Sequence, residues 1–355
     1  MKRLMYLPIA ALALFAACNN QQPKETETPA AAAVSPEDKE LLENAQAMFK
    51  PLPATAEKAE NKLTPEKIAL GKMLYYDTRL SKTGNNSCNS CHNLNTFGVD
   101  NLPTSKGDAG KFGARNSPTV LNAATHDFQF WDGRAKDVEE QAGMPVLNPA
   151  EMAMPSKDFV VNKLKGIAEY KEMFKAAFPD DKDALTYANM ENAIGAFERT
   201  LITPSAFDKY LGGDIQALNA DERAGLKQFI TVGCNQCHIG SNLGGTMFQK
   251  FGLYGDYRAL TNSKGTDNGK MDLTKQASDK DIFKVPGMRN VAKTQPYFHD
   301  GSVTDLKEAV RIMGKTQLNK DLSEAQIASI VTFLNTLTAD VPEDVKKAPE
   351  ALAQK

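Results

Sequence analysis

Along this chain apolar residues recur at helical spacing and do not alternate. Ser35-Pro36 marks a helix start, since proline at the first helical position gives up no bonded N–H. Leu41, Leu42, Ala45 and Met48 follow at helical intervals. Thr64-Pro65 repeats the signal before Ile68, Leu70, Met73 and Leu74. Residues 158–178 and 186–201 carry the same period. Asn219 is placed to cap a helix through Leu226, Phe229 and Ile230. Ser323 and Gln326 form a capping box before Ile327, Ile330, Val331 and Leu334. Leu306, Val310 and Met313 share one face of a further helix. Sustained period-2 alternation is absent, so the pattern predicts a mainly α fold with little β.

Between these segments lie two long stretches, 93–130 and 239–300, rich in Gly, Asn, Asp and Pro. Loops of that length are usually functional. Each half of the chain repeats one plan: a helix, a Cys-x-x-Cys-His pentapeptide, a long loop, then helices. The divide falls between Pro204 and Gly213. It predicts an N-terminal domain over 35–203, a C-terminal domain over 204–345 and a tail over 346–355. Ahead of these, Met1-Lys2-Arg3 is basic, Leu4 to Phe15 is apolar, and Ala16-Ala17 precedes Cys18. This segment is too short to span a bilayer and reads as an export signal. It resembles a bacterial lipoprotein signal over 1–18, with Cys18 as the lipidated N-terminus. Residues 19–34 are polar and Ala/Pro-rich, a flexible tether.

The two pentapeptides are Cys88-Asn89-Ser90-Cys91-His92 and Cys234-Asn235-Gln236-Cys237-His238. They use four of the five cysteines and two of the four histidines, which makes coincidence a poor account. The spacing attaches c-type haem, with both thiols forming thioethers to the porphyrin and the histidine supplying an axial nitrogen. Two covalent haems are therefore expected, and with them redox chemistry. Attachment of haem c outside the cytoplasm in bacteria agrees with an export signal. The 355 residues are enough for two domains with real cores. A net charge of −2 gives no electrostatic case for nucleic acid.

Further strings carry a family resemblance. They are Arg115-Asn116-Ser117-Pro118-Thr119, Phe130-Trp131-Asp132-Gly133-Arg134-Ala135, Glu151-Met152, Pro296-Tyr297-Phe298-His299-Asp300-Gly301 and Met313-Gly314-Lys315-Thr316-Gln317-Leu318. In this order, from about Leu63 to Leu337, the chain resembles the bacterial di-haem cytochrome c peroxidases. The resemblance implies two cytochrome-c-like helical domains with a calcium ion between them, usually as a homodimer. It also implies reduction of hydrogen peroxide to water with electrons from a small cytochrome c or a cupredoxin. Electrons would enter at the C-terminal haem and pass to the peroxidatic N-terminal haem.

Carried residue by residue, the resemblance makes His92 and His238 the proximal ligands and Met313 the second axial ligand of the C-terminal haem. Glu151 matches the family's distal acid, Gln141 its neighbouring amide, and Trp131 an aromatic residue between the haems. Asn116, Thr294 and Pro296 match its calcium ligands, the last two through backbone carbonyls. His299 is expected to bond a propionate or the backbone. In many relatives a distal histidine ligates the oxidised peroxidatic haem, and here Asp108 occupies that position. A carboxylate is a poor substitute for imidazole, so the N-terminal iron is expected to be open when oxidised. His126, five residues before Trp131, is the one other histidine able to compete for it. Two other readings stand beside the peroxidase. One is a non-catalytic electron carrier with both haems closed, against which Glu151 and Gln141 speak. The other is a MauG-like protein-modifying oxidase, which uses Tyr where this chain has Met313.

Overall fold

The computed structural model describes Met1 and residues 34–261, 263 and 265–353, so the signal segment and Cys18 lie outside the described residues. The helices are α1 (Pro36–Met48), α2 (Pro65–Tyr76), α3 (Cys88–Cys91), α4 (Val138–Leu147), α5 (Lys157–Lys165), α6 (Ala168–Ala177), α7 (Tyr187–Glu198) and α8 (Ala206–Leu211). They continue as α9 (Ala220–Val232), α10 (Tyr257–Thr261), α11 (Met271–Thr274), α12 (Leu306–Leu318), α13 (Glu324–Asn335), α14 (Glu343–Lys346) and α15 (Glu350–Ala353). Among the described residues the one sheet pairs β1 (Phe248–Lys250) with β2 (Ile282–Lys284), antiparallel, Phe248 opposite Lys284. The mainly α expectation therefore holds. No helix among the described residues is long and apolar enough to cross a membrane.

The caps sit where the sequence signals put them. Ser35 and Thr64 accept from the N–H groups of Asp38 and Lys67. Asn219 does more than expected, forming a reciprocal box in which Glu222 returns a bond to the Asn219 N–H. The stretch 158–178 is two helices instead of one. Gly166 closes α5 by donating to Asn162 O, and Ile167 is extended before α6 begins.

Two large apolar cores form among the described residues, beside smaller clusters. The first gathers α2, α4, α5, α6 and α7 around Leu70, Met73, Leu74, Phe174 and Met190. The second gathers α1, α8, α9 and α13 around Phe49, Phe207, Phe229 and Phe333. The chain ends are exchanged between them. Helix α1 falls before the divide in sequence, yet it buries Leu42 and Ala45 in the second core. Its Asp38 pairs with Arg223 of α9 at 2.6 Å. At the other end, Val341 packs with Tyr75 and Phe197, and Ala351 and Leu352 lie against the first core. Helix α1 and the segment from Val341 to Leu352 thus each pack with apolar residues from the other half of the sequence.

Each core has a close helix crossing that places a pentapeptide. A Cβ on Gly71 would stand 1.9 Å from Ala193 O, so α2 and α7 touch backbone to backbone. A Cβ on Gly225 would stand 2.2 Å from Ser329 O, and α9 meets α13 in the same way. Gly233, at φ +102°, then ends α9 and turns the chain directly into Cys234.

Candidate haem sites

The first pentapeptide borders a cavity of about 640 Å³, lined by Cys88, Cys91 and His92. The His92 Nδ1 lies 2.9 Å from Pro118 O. A carbonyl partner fixes the proton on Nδ1 and leaves the Nε2 lone pair for a metal. Burial lowers the His92 pKa, which keeps the ring neutral, the state a ligand needs. Burial likewise pushes the Cys91 thiol up to about 11.

The same cavity collects the expected reaction residues. Glu151 and Gln141 both line it. Glu151 Oε1 accepts from Asn148 Nδ2 at 2.9 Å, and burial raises its carboxyl above the ordinary range against the pull of Arg134. Gln141 comes from α4, held in place by the Asp137 cap. Arg134 also lines the cavity, stacked 3.5 Å over the Phe130 ring and paired with Asp132 at 3.0 Å. Nothing in its sequence neighbourhood marks Arg134 as a cavity residue. His92 is the only histidine lining this cavity.

Asp108 does not line the cavity. Its carboxylate takes bonds from the Thr83 N–H at 2.7 Å, the Thr83 hydroxyl at 2.8 Å and the Asn85 N–H at 3.2 Å. Its own N–H donates to Glu151 O at 2.7 Å. The Asp108 carboxylate is thus tied down outside the cavity, while Gly107 and Gly113 of the same loop line it. His126 also lies elsewhere. Its ring is wedged against Gly245 and Gly287, and its Nδ1 is 3.1 Å from Lys284 Nζ.

The second pentapeptide borders a cavity of about 260 Å³ lined by Cys234, Cys237, His238 and, from α12, Leu306, Val310 and Met313. His238 Nδ1 lies 2.9 Å from Leu243 O, so a backbone carbonyl orients this ring as Pro118 O orients His92. Burial lowers the His238 pKa and pushes the Cys234 thiol up to about 12. The stripe read from the sequence therefore faces this cavity as a unit, with the Met313 thioether in it. Both cavities offer paired thiols and a neutral, oriented imidazole, the donor set that haem c requires.

Trp131 lines both cavities. Its Nε1 donates to Asn116 O at 2.9 Å, and its carbonyl accepts from the Lys284 N–H at 2.7 Å. Arg115 bridges the halves by pairing with Asp132 at 2.7 Å and Asp267 at 2.6 Å. His299 stacks on Phe283, with ring centres 4.2 Å apart, and its carbonyl accepts from the Asn116 N–H. Asn116 thereby adjoins the loop carrying Thr294 and Pro296. Its Nδ2 donates to Leu102 O, which leaves its Oδ1 without a described partner. Among the described residues neither the Thr294 nor the Pro296 carbonyl accepts a hydrogen bond. Free amide and backbone oxygens suit a hard cation, and an acidic cluster is not needed.

Comparison with known proteins agrees with this geometry. A family model described as di-haem cytochrome c peroxidase matches residues 65–216. The chain is similar to the cytochrome c551 peroxidase of Nitrosomonas europaea, at 46% identity over 285 residues, 79% of this chain and 83% of that protein. It is similar to the cytochrome c551 peroxidase of Pseudomonas aeruginosa at 45% identity over 304 residues, 85% of this chain and 87% of that protein. Its fold resembles a MauG-like protein associated with microbial copper homeostasis, with TM-score 0.73, 29% identity, and coverage of 84% of this chain and 96% of that one. With two haem attachment sites and relatives matched along most of its length, the chain belongs to the di-haem cytochrome c peroxidase family, peroxidases that carry two haem c groups.

Proposed function

We propose that this peroxidase accepts electrons from a small cytochrome c or a cupredoxin at the C-terminal haem and passes them past Trp131 to the N-terminal haem. There hydrogen peroxide takes up two electrons and two protons and leaves as two waters. Haem bound at the two pentapeptides would supply the redox chemistry. The protein supplies orientation and protons. His92 and His238 hold the irons through neutral imidazoles fixed by carbonyls. The Met313 thioether raises the potential of the electron-entry site. Glu151 takes a proton from the near oxygen of peroxide and returns it to the leaving oxygen, and Gln141 orients the substrate by hydrogen bonding. A half-buried carboxyl with a raised pKa suits both directions of that transfer.

The observation that carries this reading is the half-buried Glu151 carboxyl in the cavity that His92 lines. The pinned position of Asp108 supports a second element, an N-terminal iron open in the oxidised state with no reductive activation. The decisive experiment combines resting-state EPR with stopped-flow peroxide turnover on the as-isolated protein and on Glu151→Gln. The expected result is a high-spin ferric signal and immediate turnover, with Glu151→Gln losing roughly 10²-fold or more in rate while keeping its haem spectra. A purely low-spin, inactive oxidised form overturns the open-iron reading, and full activity in Glu151→Gln overturns the acid–base role.

The reading extends to calcium held by Asn116 Oδ1 and the Thr294 and Pro296 carbonyls, which chelation followed by haem spectroscopy tests. It extends also to a periplasmic homodimer tethered by lipid at Cys18, which metabolic labelling with a fatty acid tests.

A further inference from the structure

Glu198 is a buried carboxyl that the reading above leaves unused. It is the last residue of α7, 5% exposed, and lines the first cavity together with Cys88. The adjacent Arg199 is its natural counter-ion, but that guanidinium is committed elsewhere. Arg199 Nε and Nη2 bond both oxygens of Glu139 at 2.7 and 2.8 Å, and Nη1 bonds Ala56 O at 2.9 Å. No hydrogen bond from a described residue reaches the Glu198 carboxyl. The C-terminal end of α7 adds the negative pole of the helix dipole. The groups facing Glu198 are Tyr75 from α2, Cys88 from α3, Glu139 from α4 and Arg199. Cys88 is a neutral thioether in the holoprotein. Burial pushes the carboxyl up to about 8, the Glu139 carboxylate adds to the rise, and Arg199 opposes it.

A group so placed responds to any change of charge in the cavity it lines. We propose that Glu198 is a redox-linked proton site of the N-terminal haem. Its carboxylate takes one proton from solvent when that haem gains an electron from the C-terminal haem. It releases the proton when the electron passes on to peroxide. Charge in the cavity then stays balanced through the cycle, and one of the two protons consumed is held beside the site in advance. Glu198 acts through the haem's potential, so it is a positioning residue. The inference rests on the di-haem peroxidase reading above.

The test is spectroelectrochemical titration of the N-terminal haem in the holoenzyme from neutral to alkaline pH. Wild type is expected to hold a nearly constant potential near neutral pH, where the carboxyl is already protonated, and to lose ~59 mV per pH unit on the alkaline side of its ionisation, the one-electron equivalent of a tenfold change in proton activity. Glu198→Gln is expected to flatten that slope, and Glu198→Asp to keep it at a displaced pH. Redox difference infrared spectroscopy of wild type should show a protonated-carboxyl band that is absent in Glu198→Gln. Two haems with the same slope in wild type and Glu198→Gln overturn the inference alone. If Glu198→Gln fails to fold, absence of the carboxyl band from the wild-type spectrum overturns it. Fewer than two haems overturns the underlying reading and this inference with it.

Discussion

Glu139 illustrates what a buried charge requires. Its carboxylate receives two bonds from Arg199 and one from Asn61 at 2.9 Å, and both members of the ion pair are almost fully enclosed. These partners outweigh desolvation and hold its pKa down to about 2. The folded value lies below the ordinary glutamate value of 4.5, so the stabilisation is present above that pH and is lost as the pH falls towards 2. Glu139→Gln leaves Arg199 buried and uncompensated and is expected to cost about 3 kcal/mol at neutral pH. Chemical denaturation at neutral and acidic pH checks this, and a variant as stable as wild type at neutral pH refutes it. At this scale the sequence was readable where covalent chemistry fixes spacing, at Cys88, Cys91, His92, Cys234, Cys237 and His238. Glu151, Gln141 and Asn116 were recognisable only through their strings, because one buried acid looks like any surface acid in sequence. Arg134 and Glu198 became visible only when the fold closed around one cavity.

Helices were the most legible level, because caps and apolar periods are local. Ser35, Thr64, Asn219 and Ser323 all begin helices as their side chains dictate. The break at Gly166 was hidden because α5 and α6 both present apolar residues to the same core, and the period runs on across the gap. The close crossings were also hidden, since a helical glycine reveals its neighbour only in three dimensions. Gly225→Ala forces a methyl group against Ser329 O and the Phe333 side chain. The helices must separate, at a cost of about 1–3 kcal/mol. Because α9 leads straight into Cys234, the displacement should reach the second haem and leave the first unaffected. A lowered melting temperature with a perturbed C-terminal haem spectrum is the expected outcome. Perturbation of both haems alike speaks against two cores that hold their haems separately.

For the whole molecule, the exchange of chain ends and the shared junction set how the two centres work together. Helix α1 reaches the second pentapeptide directly, for Asn235 Nδ2 approaches Met48 Sδ at 2.9 Å and the Gly240 N–H donates to Met48 O. The repeated plan of helix, pentapeptide and loop was visible in sequence, while the packing of α1 against α9 was not, because it depends on which groove accepts which apolar stripe. Between the cavities Trp131 is held at both ends, by Asn116 O through its ring and by Lys284 through its backbone. On the proposed route, an aromatic residue that lines both cavities would shorten the gap an electron must cross. Trp131→Leu removes the ring and the bond to Asn116, and leaves His92, His238 and Met313 in place. Reduction of the C-terminal haem by an external donor should then proceed at the wild-type rate, while arrival of that electron at the N-terminal haem and peroxide turnover slow together. Stopped-flow spectroscopy resolves the two steps. Unchanged transfer between the haems assigns Trp131 to packing alone, and a loss of Met313 ligation would show instead that the ring supports the C-terminal cavity from behind.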